Sequence, residues 1–372
     1  MRIAIVLGTR PEIIKMSPVI RECKKRRAQA SPKADALGYF IVDTGQHYSY
    51  SMNKLFFEEL ALQQPDYSLG IKPKSPQQQG DHTGRMMPKI ESVLRKEKPS
   101  LVLVQGDTIT VLSGSLCAVK LGIPVGHVEA GLRSYDRTMP EEINRVLSDH
   151  ISRYLFVPTP QAKENALKEG ILDSNIFVTG NTIVDAVQQN LEIASKKLNI
   201  VKKLGLEPGG YFLVTAHRQE NVDVKSKLEG IMKGLDNIYK EFGKKVLYPM
   251  HPRTRKMISR FGIKIPSSIS VIEPVGFLEF LQLEKNAKMI LTDSGGLQEE
   301  SCILHVPCIT LRENTERPET LSIGNMLAGT APDKILNSAK TILSKKIKWK
   351  NPFGDGRAAE HIMDIIMEGS FK

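Results

Sequence analysis

Cysteine is scarce in this sequence. Cys23, Cys117, Cys302 and Cys308 are the four in 372 residues, and they show no Cys-x-x-Cys spacing. Disulfide frameworks and metal clusters need closely or regularly spaced thiols. The sequence therefore predicts four reduced, partly buried thiols in a reducing compartment, no metal site, and a cytoplasmic protein.

Long hydrophobic runs are also missing. A membrane-spanning helix needs about 20 consecutive apolar residues, and no run approaches that length. The apolar start, Met1 to Leu7, lacks a basic segment before it and a small-residue cleavage site after it, so we expect a buried strand there and no signal peptide. No membrane partner is expected.

Aromatic residues make up only 6% of the chain, with one Trp, although the net charge is +11. A nucleic-acid surface would combine basic residues with interleaved aromatic platforms. The densest basic run, Lys24 to Arg27, lies where the first predicted helix ends, and cations are favourable there. We therefore expect no nucleic-acid partner, and the positive charge favours an anionic small molecule.

Short apolar runs alternate with amphipathic stretches, which is typical of βαβ units and a parallel sheet. The predicted strands are Arg2–Leu7, Gly38–Asp43, Leu101–Gln105, Ile123–Val128, Tyr154–Val157, Tyr211–Thr215, Lys245–Tyr248, Ser270–Ile272, Met289–Leu291 and Val306–Leu311.

The two series of strands predict an α/β protein with two Rossmann-like domains that face each other across a cleft. We place the first domain at residues 1–175 and the second at residues 176–355. The helix predicted over 356–372 is expected to pack back on the first domain. In doubly wound folds a ligand binds where the carboxyl ends of the strands meet, so the informative motifs are those just after strands.

Two such motifs follow strands of the first domain. In Gly8-Thr9-Arg10-Pro11-Glu12, Pro suits the first turn of a helix, and Arg10 and Lys15 would flank a helix N-terminus that can bind phosphate. An ordinary turn with surface charges is the alternative. Asp107, in Gln-Gly-Asp-Thr, is either a carboxylate that points into the cleft or the N-cap of the next helix.

A third strand is followed by Glu129, and Glu141 and Arg145 come shortly afterwards. Glu141 lies four residues and Glu142 three residues before Arg145 on a predicted helix, so a surface ion pair is the simplest interpretation. However, Asp107, Glu129 and Glu141 all fall at strand ends or helix starts of one domain. Crowded carboxylates raise one another's pKa, so this group favours acid–base chemistry.

The second domain offers a diphosphate site. Its first strand is followed by His217, placed for acid catalysis or for contact with an anion. Ser294, Gly295 and Gly296 form a turn that opens a helix, and such turns let backbone N–H groups approach a diphosphate. Glu300, further along this helix, is placed to accept from ribose hydroxyls. Two more candidates are Arg317, which could bind phosphate, and Phe280, which is either a base-stacking residue or a core aromatic.

Together these residues resemble the non-hydrolysing UDP-N-acetylglucosamine 2-epimerases. The resemblance covers nearly the whole chain, through GTRPEIIK, QGDT, HVEAGLRS, PEEINR, FVTGNT, TAHRQEN, LTDSGGLQEE, NTERPE and NPFGDG. It implies a fold like that of the GT-B glycosyltransferases, a homodimer, a UDP-sugar substrate and no cofactor.

The resemblance also implies roles for individual residues. The catalytic residues would be Asp107, Glu129, Glu141 and His217. The UDP-sugar would be bound by Arg10, Lys15, Arg145, Phe280, Ser294, Gly295, Gly296, Glu300 and Arg317.

Bacterial members of this family can bind a second, activating UDP-GlcNAc, in part through the second arginine of a His-Arg-Arg-Glu run. Gln219 stands at that position here, and a Pro near Gln77 replaces another Arg. The candidate effector site retains Gln46, His47, Gln77 and His251.

The resemblance implies reversible C2 epimerisation of UDP-GlcNAc to UDP-ManNAc, by elimination of UDP to 2-acetamidoglucal and re-addition, for surface polysaccharide or glycan synthesis. The missing dinucleotide fingerprint favours this route over oxidation by NAD. Three alternatives stay open: an epimerase for a modified sugar such as a 2,3-diacetamido uronic acid, a GT-B UDP-dependent glycosyltransferase, and a non-catalytic nucleotide-sugar sensor.

Overall fold

The structure is a computed structural model that describes residues 1–29, 37–46, 50–72, 75, 78–197, 199–315, 317–321, 323–345 and 349–368. The strands in these residues are β1 Arg2–Leu7, β2 Gly38–Asp43, β3 Tyr67–Ser68, β4 Leu101–Gln105, β5 Val125–Val128, β6 Tyr154–Val157, β7 Ile176–Val178, β8 Tyr211–Thr215, β9 Lys245–Pro249, β10 Ile269–Ile272, β11 Met289–Thr292, β12 Cys308–Thr310 and β13 Asn325–Leu327.

Helices cover most of the segments between these strands. They are α1 Arg10–Gln29, α2 Tyr50–Glu59, α3 Gln79–Glu97, α4 Ile109–Lys120, α5 Pro140–Ile151, α6 Pro160–Lys168, α7 Thr182–Lys197, α8 Ile200–Lys203, α9 Gln219–Val222, α10 Lys225–Phe242, α11 Pro252–Phe261, α12 Phe277–Asn286, α13 Gly295–Ile303, α14 Pro318–Leu321, α15 Pro332–Ser344 and α16 Ala358–Met367.

The chain divides into two compact units. The first unit contains Met1–Gln188 and Phe353–Lys372, and the second contains Gln189–Pro352. The sequence predicts this boundary after residue 175. Strand β7 pairs with β6, so residues 176–178 complete the sheet of the first unit and the boundary falls within α7.

The first unit contains a parallel sheet with strand order β3-β2-β1-β4-β5-β6-β7. The order reverses between β1 and β4, which is the topological switch point of a Rossmann-like fold. β1 and β4 are apolar because helices cover both faces of such a sheet, and Ile3, Ile5, Leu101 and Leu103 are fully buried.

The second unit repeats this arrangement with the parallel order β10-β9-β8-β11-β12-β13. Its switch point lies between β8 and β11, whose register pairs Thr215 with Thr292. The loops after these two strands carry His217 and the Ser-Gly-Gly turn, so the fold places both motifs at one edge of this sheet.

Helix α16 packs against α1, and both lie in the first unit. Ile362 and Ile366 are buried on one face of α16, and the Met363 and Cys23 sulfurs lie 3.6 Å apart. Asp185 accepts hydrogen bonds from the N–H groups of Ala358 and Ala359 and so satisfies donors at the start of this helix.

All four cysteines are free thiols, and they are buried rather than partly buried. Burial raises the pKa of Cys23, Cys302 and Cys308 to about 12, so these thiols stay protonated at neutral pH.

Candidate functional site

Glu12 connects two loops of the first unit. Its Oε2 accepts from the N–H groups of Gly8 at 2.6 Å and Thr9 at 2.8 Å, and its Oε1 accepts from the Thr108 hydroxyl. The N–H of Glu12 in turn donates to Thr9 Oγ1, which makes Thr9-x-x-Glu12 a capping box at the start of α1. Burial raises the pKa of Glu12 to about 7, against the effect of these hydrogen bonds.

The same loop requires glycine at position 8. A Cβ there would lie 1.9 Å from Thr44 Oγ1 and 2.6 Å from Thr110 Oγ1, too close for any side chain. Those two hydroxyls are hydrogen-bonded at 2.8 Å. Glycine therefore lets the loop after β1 pack closely against Thr44, which follows β2, and Thr110, on α4.

Glu129 lies directly after β5 and is paired with a cation. Lys15 Nζ lies 2.7 Å from both Glu129 oxygens, and Gln105 Nε2 donates to Oε2 at 2.8 Å. The Glu129 side chain is 6% exposed and its φ is +66°, a strained value for a residue other than glycine. The structure therefore places Lys15, expected on phosphate, against a candidate catalytic carboxylate.

Asp107 is held by α5. Arg145 contacts Asp107 Oδ2 through Nη2 and donates to Glu142 through Nη1 at 2.9 Å, and Asn144 donates to the Asp107 carbonyl at 3.0 Å. The alternative that Asp107 caps the next helix is wrong, because Thr108 is the N-cap of α4 and accepts from the N–H groups of Thr110 and Val111.

The acid of α5 that pairs with Arg145 is Glu142, not Glu141. Arg145 pairs with Glu142, which also accepts from the N–H groups of Ser134 and Tyr135. Burial works against the charge of Glu142, but these hydrogen bonds outweigh it and lower the pKa of Glu142. Glu141 is exposed in the first turn of α5.

The three candidate carboxylates were expected to crowd one another. β4 and β5 are neighbours with Gln105 opposite Val128, so Asp107 and Glu129 leave the sheet at the same edge. The structure gives each of them its own cation, Arg145 for Asp107 and Lys15 for Glu129.

A largely buried network of charged side chains holds the turn after β5. Arg133 donates to Asp149 Oδ2 at 2.6 Å and forms a bidentate pair with Glu169 at 2.7 and 2.6 Å. Asp149 also accepts from the N–H of Gly131 and lies 2.6 Å from His127 Nδ1. Burial alone would raise the pKa of Asp149, but His127 and Arg133 lower it. These hydrogen bonds and ion pairs therefore fix the turn that carries Glu129.

Asp293, for which the sequence analysis gave no role, positions His217 in the second unit. This fully buried carboxylate accepts from the N–H groups of His217, at 3.1 and 3.0 Å, and of Arg218, at 2.9 Å. His217 Nδ1 lies 3.4 Å from Asp293 Oδ1. Its imidazole is 43% exposed, so the ring is anchored on one side and open on the other.

Residues of the candidate effector site have different surroundings. Gln46 is buried, and its Oε1 accepts from the Thr110 hydroxyl at 2.8 Å and the Thr110 N–H at 3.2 Å. His251 caps α11 through Nδ1, which accepts from the Arg253 N–H, and its ring centroid is 5.6 Å from that of His217. Burial, His217 and Arg253 lower the pKa of His251. His47 and Gln77 lie outside the described residues.

The Ser-Gly-Gly turn forms the N-terminus of α13. Ser294 is the N-cap, and its N–H donates to Thr292 Oγ1 at 2.9 Å. Among the described residues the Ser294 side chain accepts no capping hydrogen bond. Gly295 is half-buried and Gly296 is exposed, so the first N–H groups of this helix are accessible to an anion.

Other candidate UDP-binding residues lie around α13. Arg317 Nε donates to Glu299 Oε1 at 2.6 Å, so the guanidinium expected on phosphate is anchored by a buried carboxylate. Glu300 is buried and Phe280 on α12 is half-buried. In the first unit, the Arg10 guanidinium lies 5.1 Å from the Phe56 ring centroid.

A family model described as UDP-N-acetylglucosamine 2-epimerase matches residues 29–367. The chain belongs to this family. It is a family of isomerases, so the predicted family and enzyme class are confirmed.

The chain is 54% identical to the UDP-N-acetylglucosamine 2-epimerase of Methanococcus maripaludis over 98% of both chains. It is 39% identical to a UDP-2,3-diacetamido-2,3-dideoxy-D-glucuronate 2-epimerase of Pseudomonas aeruginosa, over 98% of this chain and 99% of the relative. A crystal structure of the Methanocaldococcus jannaschii UDP-GlcNAc 2-epimerase, in complex with UDP-GlcNAc and UDP, superposes with a TM-score of 0.85 at 53% identity, covering 99% of this chain and 100% of the other. The predicted α/β fold with two Rossmann-like domains is confirmed.

Two kinds of feature are absent from the described residues. No helix there has both the length and the apolar character to cross a membrane. No group of three or more His, Cys, Asp or Glu side chains in these residues is arranged to hold a metal ion.

Proposed function

We propose that the chain catalyses the reversible epimerisation of UDP-GlcNAc at C2 to give UDP-ManNAc. The observation that carries the proposal is the pair of carboxylates at one edge of the first sheet, Asp107 after β4 and Glu129 after β5, each with its own cation. Family membership and the relatives' UDP-GlcNAc 2-epimerase activity support it.

The proposed reaction is elimination followed by re-addition. The C1–O bond to UDP breaks, and its electron pair leaves with the diphosphate. A carboxylate removes the C2 proton, and the C2–H electron pair becomes the C1–C2 double bond of 2-acetamidoglucal. A proton then returns to the opposite face of C2 and UDP re-forms the bond to C1, so at least two acid–base groups are required. We assign these roles to members of the set Asp107, Glu129, Glu141 and His217.

We assign UDP to the accessible N-terminus of α13, to Glu300 and Phe280, and to Arg10, Lys15, Arg145 and Arg317. Helix N–H groups and guanidinium groups would stabilise the charge that develops on the departing diphosphate. In the second unit, His217 and the Ser-Gly-Gly turn follow neighbouring strands β8 and β11, and Asp293 links the two loops. The product would serve surface polysaccharide or glycan synthesis.

The test is incubation of UDP-GlcNAc with the enzyme in D2O without an acceptor sugar, followed by NMR. We expect deuterium at C2 of both epimers, together with exchange of an ¹⁸O label from the C1–O–P bridge into the other oxygens of the β-phosphate. Epimerisation without label exchange would contradict cleavage of the C1–O bond. No reaction until an acceptor is added would indicate a glycosyltransferase, and tight UDP binding without any turnover would indicate a sensor.

A second candidate substrate is a UDP-2,3-diacetamido uronic acid, which the 39%-identical Pseudomonas relative is named for. Comparison of kcat/KM for the two UDP-sugars distinguishes them. We expect the higher value for UDP-GlcNAc, because the more similar Methanococcus relative carries that name at 54% identity.

We also propose a homodimer. Ile143 and Leu147 are 48% and 47% exposed on α5, and Tyr135 beside them is 68% exposed. Apolar side chains grouped in this way favour association. Light scattering is expected to show a dimer for the wild type and a monomer for the double variant Ile143→Glu, Leu147→Glu. A wild-type monomer at micromolar concentration would contradict this proposal.

A further inference from the structure

Glu12 is a buried acid that contacts two loops of the candidate site. It lies on α1 and its residue is 2% exposed. Its Oε2 accepts from the N–H groups of Gly8 and Thr9, which follow β1, and its Oε1 accepts from the hydroxyl of Thr108, which follows β4. Burying a carboxyl group costs free energy unless its oxygens find donors, so an apolar residue would be simpler for packing alone. Glu12 therefore needs an explanation beyond packing.

The Glu12 carboxyl group also closes the start of α1 to other anions. The sequence predicts a phosphate site there, because the first N–H groups of a helix attract anions. In the structure the N–H groups of Gly8 and Thr9 donate to Glu12, and the N–H of Glu12 donates to Thr9 Oγ1. The carboxyl group takes the place of a phosphate. We therefore expect the Arg10 side chain, and not the helix end, to contact a diphosphate.

The two loops that Glu12 joins lie at the switch point of the first sheet. β1 and β4 are neighbouring parallel strands, and their carboxyl ends border the crevice where doubly wound folds bind ligands. Arg10 follows Thr9 and Asp107 precedes Thr108. Each hydrogen-bonded loop position is therefore one residue away from a candidate site residue.

Helix α1 reaches the other candidate carboxylate of this edge as well. Lys15 lies three residues after Glu12, and its Nζ is 2.7 Å from both Glu129 oxygens. One helix thus contacts the loop after β4 through Glu12 and the turn after β5 through Lys15. A shift of α1 would change the surroundings of Arg10, Asp107 and Glu129 together.

We propose that Glu12 is a positioning residue that fixes Arg10 relative to Asp107. The inference rests on the proposed function, in which Arg10 contacts the departing diphosphate and Asp107 is one of the acid–base groups. Loss of UDP from C1 and proton transfer at C2 take place on neighbouring carbons, so the groups that serve them must be held at a fixed separation. A displacement of about 1 Å can lower a rate by about 100-fold.

Removal of the Thr108 hydroxyl tests one end of this connection. Thr108→Val keeps the shape of the side chain, and we expect it to slow deuterium exchange at C2 of UDP-GlcNAc by at least about tenfold. Calorimetric titration should show UDP affinity within about threefold of the wild type, because Glu12 still holds the loop before Arg10. Thr108→Ser keeps the hydroxyl and should retain the wild-type exchange rate.

Thr108 also caps α4, and Thr159 offers a matched control. Thr159 is the N-cap of α6 and accepts from the N–H of Ala162, as Thr108 accepts from the N–H of Thr110. Thr159→Val removes a cap but leaves the contact between Glu12 and Thr108 in place. We expect it to keep the wild-type exchange rate, and thermal unfolding establishes that each variant is folded.

Glu12→Met tests the other end. It is similar in volume but lacks the carboxyl group, so it releases both loops. We expect slower C2 exchange together with UDP binding that is weaker by about tenfold. Residues that act through one contact are not additive, so the double variant Glu12→Met, Thr108→Val should exchange within about twofold of the rate of Glu12→Met.

The outcomes separate this inference from the proposed function. A wild type that exchanges no deuterium contradicts the proposed function and, with it, this inference. An active wild type with Thr108→Val at the same rate contradicts the role of Glu12 alone. Rate losses that multiply in the double variant would also overturn the inference, because the two residues would then act independently. If Glu12→Met does not fold, Thr108→Val and Thr108→Ser decide the question, since equal rates for these two variants would overturn the proposal.

Discussion

His127 lies between two hydrogen-bond acceptors. Its Nδ1 is 2.6 Å from Asp149 Oδ1, and its Nε2 is 2.7 Å from the carbonyl oxygen of Gly106. Neither partner can donate once Asp149 is ionised, so both ring nitrogens carry protons and the imidazole is a cation. Burial alone would lower the pKa of His127, but Asp149 outweighs it and raises the pKa. Through these two contacts His127, on β5, links α5 to the loop after β4 that carries Asp107.

The Asp149→Asn variant is expected to be less stable by about 3 kcal/mol, because it leaves the His127 cation buried without a counterion and removes one of the two carboxylates that pair with Arg133. Urea unfolding measures this change. Glu192→Gln is the control, since Glu192 forms an exposed pair with Lys196, and its unfolding curve should match that of the wild type. Equal stability of Asp149→Asn and the wild type would show that the network adds nothing.

Glu12 gives the protein a distinctive pH dependence. Its pKa is about 7 in the folded protein and about 4.5 when unfolded, so the folded state binds the extra proton. Protonation of Glu12 therefore stabilises the fold by up to about 3 kcal/mol. This stabilisation is fully present below about pH 4.5 and is lost as the pH rises through 7.

The side chain of the Glu12→Gln variant cannot ionise. The difference in unfolding free energy between wild type and variant should therefore change by up to about 3 kcal/mol between pH 4.5 and 8. Urea unfolding across that range is the measurement, and histidine titration cancels in the difference. A constant difference would contradict a shifted pKa for Glu12.

The Asp107→Asn variant is expected to lower kcat by at least about 100-fold, because an amide cannot exchange a proton with C2. UDP should bind within threefold of the wild-type affinity, since the diphosphate is assigned mainly to other residues. Deuterium exchange at C2 and UDP titration measure the two effects. Asp136→Asn is the matched control from the exposed loop before α5, and it should keep wild-type activity.

The Asp293→Ala variant removes the acceptor for the N–H groups of His217 and Arg218. Leaving buried donors unpaired is expected to cost about 3 kcal/mol in stability and to lower kcat through the displaced His217 ring. Asp293→Asn retains one carbonyl acceptor and should lie between Asp293→Ala and the wild type in both measurements. An alanine variant with wild-type kcat would contradict a positioning role for Asp293.

The sequence predicted the long central strands accurately. Arg2–Leu7, Gly38–Asp43, Leu101–Gln105, Tyr154–Val157 and Tyr211–Thr215 are found with exactly these bounds, because both faces are buried and the apolar run has the length of the strand. Strands β3, β7 and β13 were missed. They are edge strands of two or three residues, too short to produce a recognisable pattern.

The candidate site was predictable wherever its residues directly follow a strand, as Asp107, Glu129, His217 and Ser294 do. The salt-bridge partners of these residues were not predictable, because they lie far away in the sequence: Lys15 and Glu129 are 114 positions apart.

Buried acids were missed for the same reason. Asp149 carries no local signal, because its partners come from other parts of the fold. Glu12 is the exception, and the Thr9-x-x-Glu12 spacing of a capping box would have pointed to it.

The return of α16 to the first unit has a consequence for biosynthesis. The second unit is an insertion within the first, since residues 189–352 are made before the segment that begins at Phe353. Domains generally fold as units, the N-terminal one first, as they leave the ribosome. Here the unit that begins first is finished after the second, and α1 presents the surface around Cys23 without its cover until α16 has been made. A chain released after residue 352 would therefore contain the whole second unit and an incomplete first one.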